Sequence, residues 1–221
     1  FEITTFRSDI KTFGRKAIVK FTSKMKLDAM RRDFTMNSIY MSPSGEIKDP
    51  LGSLDDLLSI RIKFIGNASE RIKEDKLRIF RFFRFLTEFD KDFSDIDEDT
   101  LKALNKYKGE VKSLSKERIW TELKRILSFP NPQKVFNIMN ELGILDGILP
   151  SLEIGALGKI ILAEKKYNIS QSPLIRLFSL NKGLGSKWSK YVSISRKEAK
   201  MLENLKKSLE MHKDLMTISY N

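Results

Sequence analysis

Cysteine is absent from the 221 residues. That excludes a disulfide framework, a zinc–thiolate site and a cysteine nucleophile, and it suits a reducing compartment, so a cytoplasmic location is expected. No apolar run approaches the roughly 20 residues a membrane helix requires, and no membrane partner is expected. No charged segment followed by an apolar stretch opens the chain in the manner of a signal peptide. Internal repeats of fixed period and low-complexity tracts are also missing, which argues against a solenoid or a disordered tail. The lone His212 falls in an amphipathic stretch with no second ligand in view and is assigned no role. Acidic residues are in deficit, 29 against 41 Lys and Arg, for a formal charge of +12 and a pI near 9.7. An anionic partner is therefore expected, nucleic acid before an acidic membrane surface.

At 25.6 kDa the chain is long enough for one large domain or two to three small ones. Alternation of the strand kind marks Phe1–Arg7, Ala17–Thr22 and Asn37–Met41, followed by the turn Ser42-Pro43-Ser44-Gly45 and a short run Glu46–Lys48. Because Phe1 is not an initiator Met and already reads as strand, an N-terminal truncation is expected. After Asp49-Pro50-Leu51-Gly52 the period becomes helical, at Ser53–Ile60, Ser69–Phe89, Asp99–Tyr107, Lys116–Leu127, Pro132–Leu142, Leu157–Glu164 and Ser195–Met216. Ser195-x-x-Glu198 forms a capping box for the last of these. The pattern is α+β: part of a sheet, then an all-helical remainder.

Two segments carry dense, ordered charge. On a helix Asp75 and Arg78 share a face, so an acceptor-only carboxylate and a planar donor fork lie side by side. Cytosine presents an amine beside N3 and adenine one beside N1, and each could give its amine to Asp75 and accept from Arg78. Uracil and guanine present the opposite order. The plainer possibility is a set of surface ion pairs, Glu74–Arg78 and Asp75–Arg78, worth about 0.3–0.5 kcal/mol each. Arg81 and Arg84 continue the series at three-residue steps between Phe80, Phe82, Phe83, Phe85 and Leu86; the phenylalanines read as core, and the arginines would suit a triphosphate. Arg31-Arg32-Asp33 ahead of Phe34 is either a charged β-edge or a clamp for ribose and phosphate.

Taken in order, Arg31-Arg32-Asp33-Phe34-Thr35-Met36-Asn37, Asp49-Pro50-Leu51-Gly52 with Asp56-Leu57, and Glu74-Asp75-x-x-Arg78-x-x-Arg81-x-x-Arg84-Phe85 resemble the bacterial-type (class II) tRNA nucleotidyltransferases, or CCA-adding enzymes, and the related bacterial poly(A) polymerases. Glu2–Arg7 and Ser115–Leu127 look like two further family segments. The resemblance runs from residue 1 to about Pro150. It implies the remainder of a nucleotidyltransferase head at 1–49, a helical neck with a nucleotide-selecting helix at 50–114, and a helical RNA-binding body at 115–221. It further implies transfer of nucleotides from CTP and ATP to the tRNA 3′ end without a nucleic-acid template. Asp75 and Arg78 would read the base, Arg32 would contact the nucleotide, Asp33 would face the ribose, and Arg81 and Arg84 would help hold the nucleotide and its phosphates. Asp49 and Gly52 would form the hinge between head and neck, and the stretch around Ser8–Ala17 a variable loop.

The implied chemistry is attack of the RNA 3′-hydroxyl on the NTP α-phosphate, with Mg2+ at two sites. The family's Asp-x-Asp metal ligands and preceding Gly-Gly turn do not occur here in that position or order, so the chain is expected to be a fragment, or half of a split enzyme whose head is a separate chain. Glu2 is either a third acidic group near the metals or a strand-edge glutamate. Ser38 stands where many CCA-adding enzymes have Ala, and Ser53 where a second Gly often follows Gly52. Asn37-Ser38 is seen also in the poly(A) polymerase branch, whereas Lys76 replaces the Pro usual there. The remaining alternative is a non-catalytic RNA-binding neck and body, with Lys106, Lys108, Lys112, Lys124, Lys206 and Lys207 either on phosphates or simply solvated.

Overall fold

The computed structural model describes residues 4–13 and 16–218, apart from the side chains of 9–18 and 213–218. The chain divides into two compact units, Phe1–Val111 and Lys112–Asn221.

In the first unit, β1 (Arg7–Phe13) and β2 (Lys16–Phe21) pair antiparallel, with a register shift between Asp9 and Lys11. The stretch expected to be a loop around Ser8–Ala17 is therefore a hairpin; of the strand expected over Phe1–Arg7, Phe1–Ile3 lie outside the described residues, Thr4–Phe6 are irregular and Arg7 opens β1. The competing principle is cross-strand pairing, which tolerates a charged sequence when backbone groups find partners. Glu2 lies outside the described residues. A short helix α1 (Met25–Met30) follows, then a 3-10 turn Thr35–Ser38 where strand was expected from Asn37. Next, β3 (Tyr40–Met41) pairs with β4 (Ile47–Lys48) across the Ser42–Gly45 turn. Gly45 sits at φ 85°, a conformation that favours glycine there.

Asp49 closes the next turn. Its carboxylate accepts from the N–H of Leu54 (2.8 Å) and of Leu51 (3.3 Å), opening α2 (Leu54–Leu58), while Gly52 takes φ 67°. Burial opposes ionisation of Asp49, but the N–H groups of Ser53, Leu54, Leu51 and Gly52 outweigh it and hold the carboxyl below its ordinary value. Two serines meet here: Ser38 Oγ and Ser53 Oγ lie 2.8 Å apart, both buried. Ser38 Oγ is also placed to donate to Thr35 C=O (2.6 Å), so both buried hydroxyls have partners.

The single helix expected over Ser69–Phe89 is two. Asn67 caps α3 (Ala68–Glu74) through Glu70 N–H, the chain turns extended at Asp75 (φ −150°, ψ 108°), and α4 runs Leu77–Glu88. On α4 Ile79, Phe80, Phe82, Phe83, Phe85 and Leu86 are buried, leaving Arg78, Arg81 and Arg84 as a basic stripe. Phe34 meets this core, with ring centroids 4.7 Å from Phe64 and 5.2 Å from Phe85. An antiparallel bridge, Thr35 N–H to Lys63 C=O (2.9 Å) and Ile65 N–H to Asp33 C=O (3.0 Å), ties the Asp33 segment to the strand-like stretch before α3. Asp97 caps α5 (Glu98–Tyr107).

The second unit is all helical: α6 (Lys116–Ser128), α7 (Pro132–Glu141), α8 (Ile154–Lys166), α9 (Pro173–Leu180) and α10 (Arg196–Ile218). Pro132 and Pro173 occupy first-turn positions, where a missing N–H costs nothing. The Ser195/Glu198 capping box is present, with Ser195 N–H to Glu198 Oε2 at 2.8 Å and Glu198 N–H to Ser195 Oγ at 3.2 Å. Among the described residues no helix is long and apolar enough to cross a membrane.

Candidate nucleotide-binding site

Asp28, in the first turn of α1, is 1% exposed and gathers donors from three directions. Its Oδ1 accepts from Arg31 Nε (2.9 Å) and Nη2 (2.6 Å) and from Arg7 N–H (3.2 Å). Its Oδ2 accepts from Arg32 Nε (3.3 Å) and Nη2 (3.1 Å) and from Tyr40 Oη (2.7 Å). Burial raises the carboxyl's pKa, but the bonds from Tyr40, Arg31 and Arg7 and the Arg31 charge prevail and hold it down to about 2. Arg32 also donates to Asn37 C=O (3.0 Å), and its guanidinium carbon lies 4.8 Å from the Tyr40 ring centroid.

Asp33 faces the other way, into α4. It is 7% exposed; Oδ1 accepts from Asn37 Nδ2 (2.9 Å) and Phe34 N–H (3.0 Å), and Oδ2 takes both Nε (2.5 Å) and Nη2 of Arg81. Both donors converge on one carboxylate oxygen, a charge-assisted contact stronger than a neutral hydrogen bond. Burial disfavours the Asp33 charge, yet Arg81 and the bonds from Asn37 and Phe34 hold its pKa below the ordinary value. Both aspartates thus have depressed native pKa values, so the stability they lend is complete above their unfolded values near 4 and drains away as pH falls through the folded ones. For Asp28 the drop from 3.8 to about 2 corresponds to roughly 2 kcal/mol. We expect thermal stability to fall between about pH 4 and pH 2, and Asp28→Asn to lose stability at neutral pH while flattening that decline. Melting curves by circular dichroism across the range provide the check.

At the break between α3 and α4, Asp75 Oδ1 accepts from Leu77 N–H (3.1 Å). Arg78 Nη1 donates to Glu74 Oε2 (2.5 Å) and to Arg71 C=O (2.7 Å), and its backbone N–H donates to Asp75 C=O (3.1 Å). The expected sharing of one helix face is therefore replaced by a corner. An aspartate that bonds the backbone two residues on offers an alternative to the helical ladder, and here it wins. Arg71 closes the arrangement. Its Nη1 meets Glu74 Oε2 at 2.5 Å, and its Nη2 donates to the backbone C=O of Arg31 (2.6 Å) and of Arg32.

Arg32, Asp33, Asp75, Arg78 and Arg81 are thus gathered by bonds running from α1 to the α3–α4 corner. Arg84 lies one turn further along α4, where its Nη1 bonds Glu88 (3.1 Å) and its guanidinium carbon sits 4.0 Å from the Phe85 centroid. Asp49 and Gly52 lie at the turn before α2, away from these bonds. Asp28, Tyr40 and Arg71 were not singled out from the sequence. The signal for Asp28 was present: Arg31 and Arg32 stand three and four residues after it, the positions that share a helix face. Among the described residues no three acidic or histidine side chains lie close enough to hold a metal ion.

Comparison with known proteins follows the same segments. Residues 1–63 match the family described as "Poly A polymerase head domain", and residues 92–154 match "Probable RNA and SrmB- binding site of polymerase A". The mouse mitochondrial CCA tRNA nucleotidyltransferase 1 is 39% identical over 144 residues, covering 65% of this chain and 33% of that protein. The CCA-adding enzyme of Coxiella burnetii is 36% identical over 159 residues, covering 71% and 41%. The crystal structure of the Bacillus stearothermophilus CCA-adding enzyme with CTP superposes at a TM-score of 0.72 and 24% identity, covering 94% of this chain and 51% of that one, which shows a shared fold. The chain therefore spans a third to two fifths of the length of these two sequence relatives.

Proposed function

As a member of the family of CCA-adding tRNA nucleotidyltransferases and poly(A) polymerases, this chain, we propose, serves the template-independent transfer of CMP and AMP from CTP and ATP to the tRNA 3′ end, and supplies the nucleotide-selecting part of that site. In that reaction the 3′-oxygen of the RNA bonds the α-phosphorus and pyrophosphate leaves. The observation that carries the reading is the bonded constellation itself: the Asp33–Arg81 fork and the Arg71 bridge hold a basic segment beside the Asp75–Arg78 corner. A base with an amine next to a ring acceptor would give the amine to Asp75 and accept from Arg78, at the expense of the Arg78–Glu74 bond. A mismatched base would leave a donor or acceptor buried and unpaired, at a cost of about 1–3 kcal/mol per group.

In this reading Arg32 contacts the nucleotide, Asp33 orients the ribose side while holding Arg81, and Arg81 and Arg84 add positive potential for the phosphates. Asp49 and Gly52 serve as the hinge between the head remnant at 1–49 and the neck at 50–114, and residues 115–221 provide the RNA-binding body. Magnesium, expected for the reaction, is assigned no ligand among the described residues. We also place the protein in the cytoplasm, on the ground of its lack of cysteine.

Calorimetric titration of the full chain with CTP, ATP, UTP and GTP, and incorporation assays on tRNA ending before CCA and on tRNA ending in CC, test this. Tighter binding of CTP and ATP than of UTP and GTP is expected. Equal affinity for all four would overturn base reading at this corner, and addition of A alone to unrelated RNA ends would move the chain to the poly(A) branch.

A further inference from the structure

Arg31 and Arg32 are neighbours in the chain at the end of a short helix. Two adjacent guanidiniums repel each other and ordinarily spread into solvent, each retaining about 2 kcal/mol of rotamer entropy. Here they do neither. One carboxylate, Asp28, divides itself between them, Oδ1 to Arg31 and Oδ2 to Arg32, with Tyr40 Oη closing the second oxygen. The side chain of Asp28 is almost fully enclosed, that of Arg31 is 19% exposed and that of Arg32 35% exposed. The buried carboxylate thus presents Arg32 outward while Arg31 is turned in, where its Nε also meets Arg7 C=O (3.0 Å). Tyr40 comes from β3, so the aim of Arg32 depends on a sheet residue as well as on its own helix. The cluster keeps a net single positive charge, with Arg32 its more exposed member.

We propose that Asp28 is a positioning residue for nucleotide binding, setting the direction of Arg32 before the nucleotide arrives. The proposal rests on the preceding reading of Arg32 as a nucleotide contact, and extends it to a buried group that touches no ligand. Its physical content is preorganisation: ordering a long cationic side chain in advance removes that cost from the binding step. Removing the carboxylate leaves two cations side by side and the Tyr40 hydroxyl without its acceptor. Asp28→Asn keeps size and shape, but one oxygen becomes an NH2 that faces donors.

The test is nucleotide affinity by calorimetry for the full chain, its Asp28→Asn, Arg32→Ala and double variants, and Tyr40→Phe. For Asp28→Asn we expect CTP and ATP to weaken by the same factor, roughly tenfold, with the preference for CTP and ATP over UTP and GTP unchanged, because the lost contact is not to the base. In the Arg32→Ala background the same change is expected to cost nothing more. A purely structural role would instead give losses that multiply. Tyr40→Phe, which removes one bond to Oδ2 and no charge, is expected to weaken binding two- to fivefold and serves as the deciding variant if Asp28→Asn does not fold. Failure of the unaltered chain to bind any nucleotide would overturn the reading of the site. Normal binding by the unaltered chain with multiplying losses, or with no loss in either Asp28→Asn or Tyr40→Phe, would overturn the role of Asp28 alone.

Discussion

Asp75→Ala is expected to reduce the preference for CTP and ATP over UTP and GTP by roughly ten- to a hundredfold, from about 1–3 kcal/mol of lost discrimination. RNA affinity is expected to stay within twofold. The structure sharpens this expectation, because Asp75 has a second task. Its Oδ1 accepts from Leu77 N–H at the start of α4, so truncation also removes a local bond worth about 1 kcal/mol of stability. The readout must therefore be a ratio of affinities measured on one folded protein, which the stability change leaves untouched. Asp75→Asn separates the two tasks. An amide keeps an oxygen for Leu77 N–H, but offers the base one donor and one acceptor where the carboxylate offers acceptors only. It is expected to relax selectivity with little loss of stability. Unaltered discrimination in both variants would remove Asp75 from base reading.

Arg176→Met is expected to have the largest effect on stability, about 3–5 kcal/mol in urea unfolding followed by circular dichroism. Arg176 is 1% exposed in α9, and its Nε and Nη2 hold Glu164 of α8 at 2.9 and 2.5 Å. Its Nη1 donates to the C=O of Leu127 (2.7 Å) and of Phe129 (2.5 Å), carbonyls at the end of α6. One side chain thus satisfies a buried carboxylate and caps a helix terminus. Removing it strands the Glu164 charge in the interior, which is the expensive outcome, whereas replacing both partners is not. Arg176→Met with Glu164→Leu is therefore expected to recover more than half of the loss. A cost below about 1 kcal/mol for the single change would mean that water reaches the pair.

The elements that sequence reasoning found, and those it missed, sort by what their residues compete for. The arginine stripe of α4 was legible because Arg78, Arg81 and Arg84 alternate with phenylalanines at a helical step, and those rings are buried as expected. The break before it was not. Glu74, Asp75 and Lys76 include neither Pro nor Gly, and the helix ends there through side-chain bonds: Leu77 N–H to Asp75, and Lys76 and Arg78 to the carbonyls of Lys73 and Arg71. Of the β1–β2 hairpin, β2 was legible as the alternation over Ala17–Thr22 while β1 was hidden by its charged residues, and α9 was hidden by being enclosed on nearly every side, so that Pro173–Leu180 shows little polar face to mark a period. Arg176 resembled any solvated arginine, since nothing in one sequence tells which carboxylate a buried cation will meet. Arg32, Asp33, Asp75, Arg78 and Arg81 were named from their motifs, and the structure gathers them by bonds. The groups that hold them lie outside or between the motifs: Asp28 left a signal in its spacing from Arg31 and Arg32, whereas Tyr40 and Arg71 are brought in only by the fold.

The bridge made by Arg71 bears on how such a site can change its language. Arg71 grips the main-chain carbonyls of Arg31 and Arg32, and its own carbonyl receives Arg78. Beside it, Asp33 and Thr35 are pinned to Ile65 and Lys63 through backbone groups. The segment bearing Arg32 is thus gripped through backbone acceptors, and the grip is supplied by the guanidinium of Arg71 rather than by the side chains of the residues it holds. Position 32 can therefore change its side chain without loosening the hold on its main chain, whereas position 75, whose carboxylate takes Leu77 N–H, cannot change without touching the corner itself.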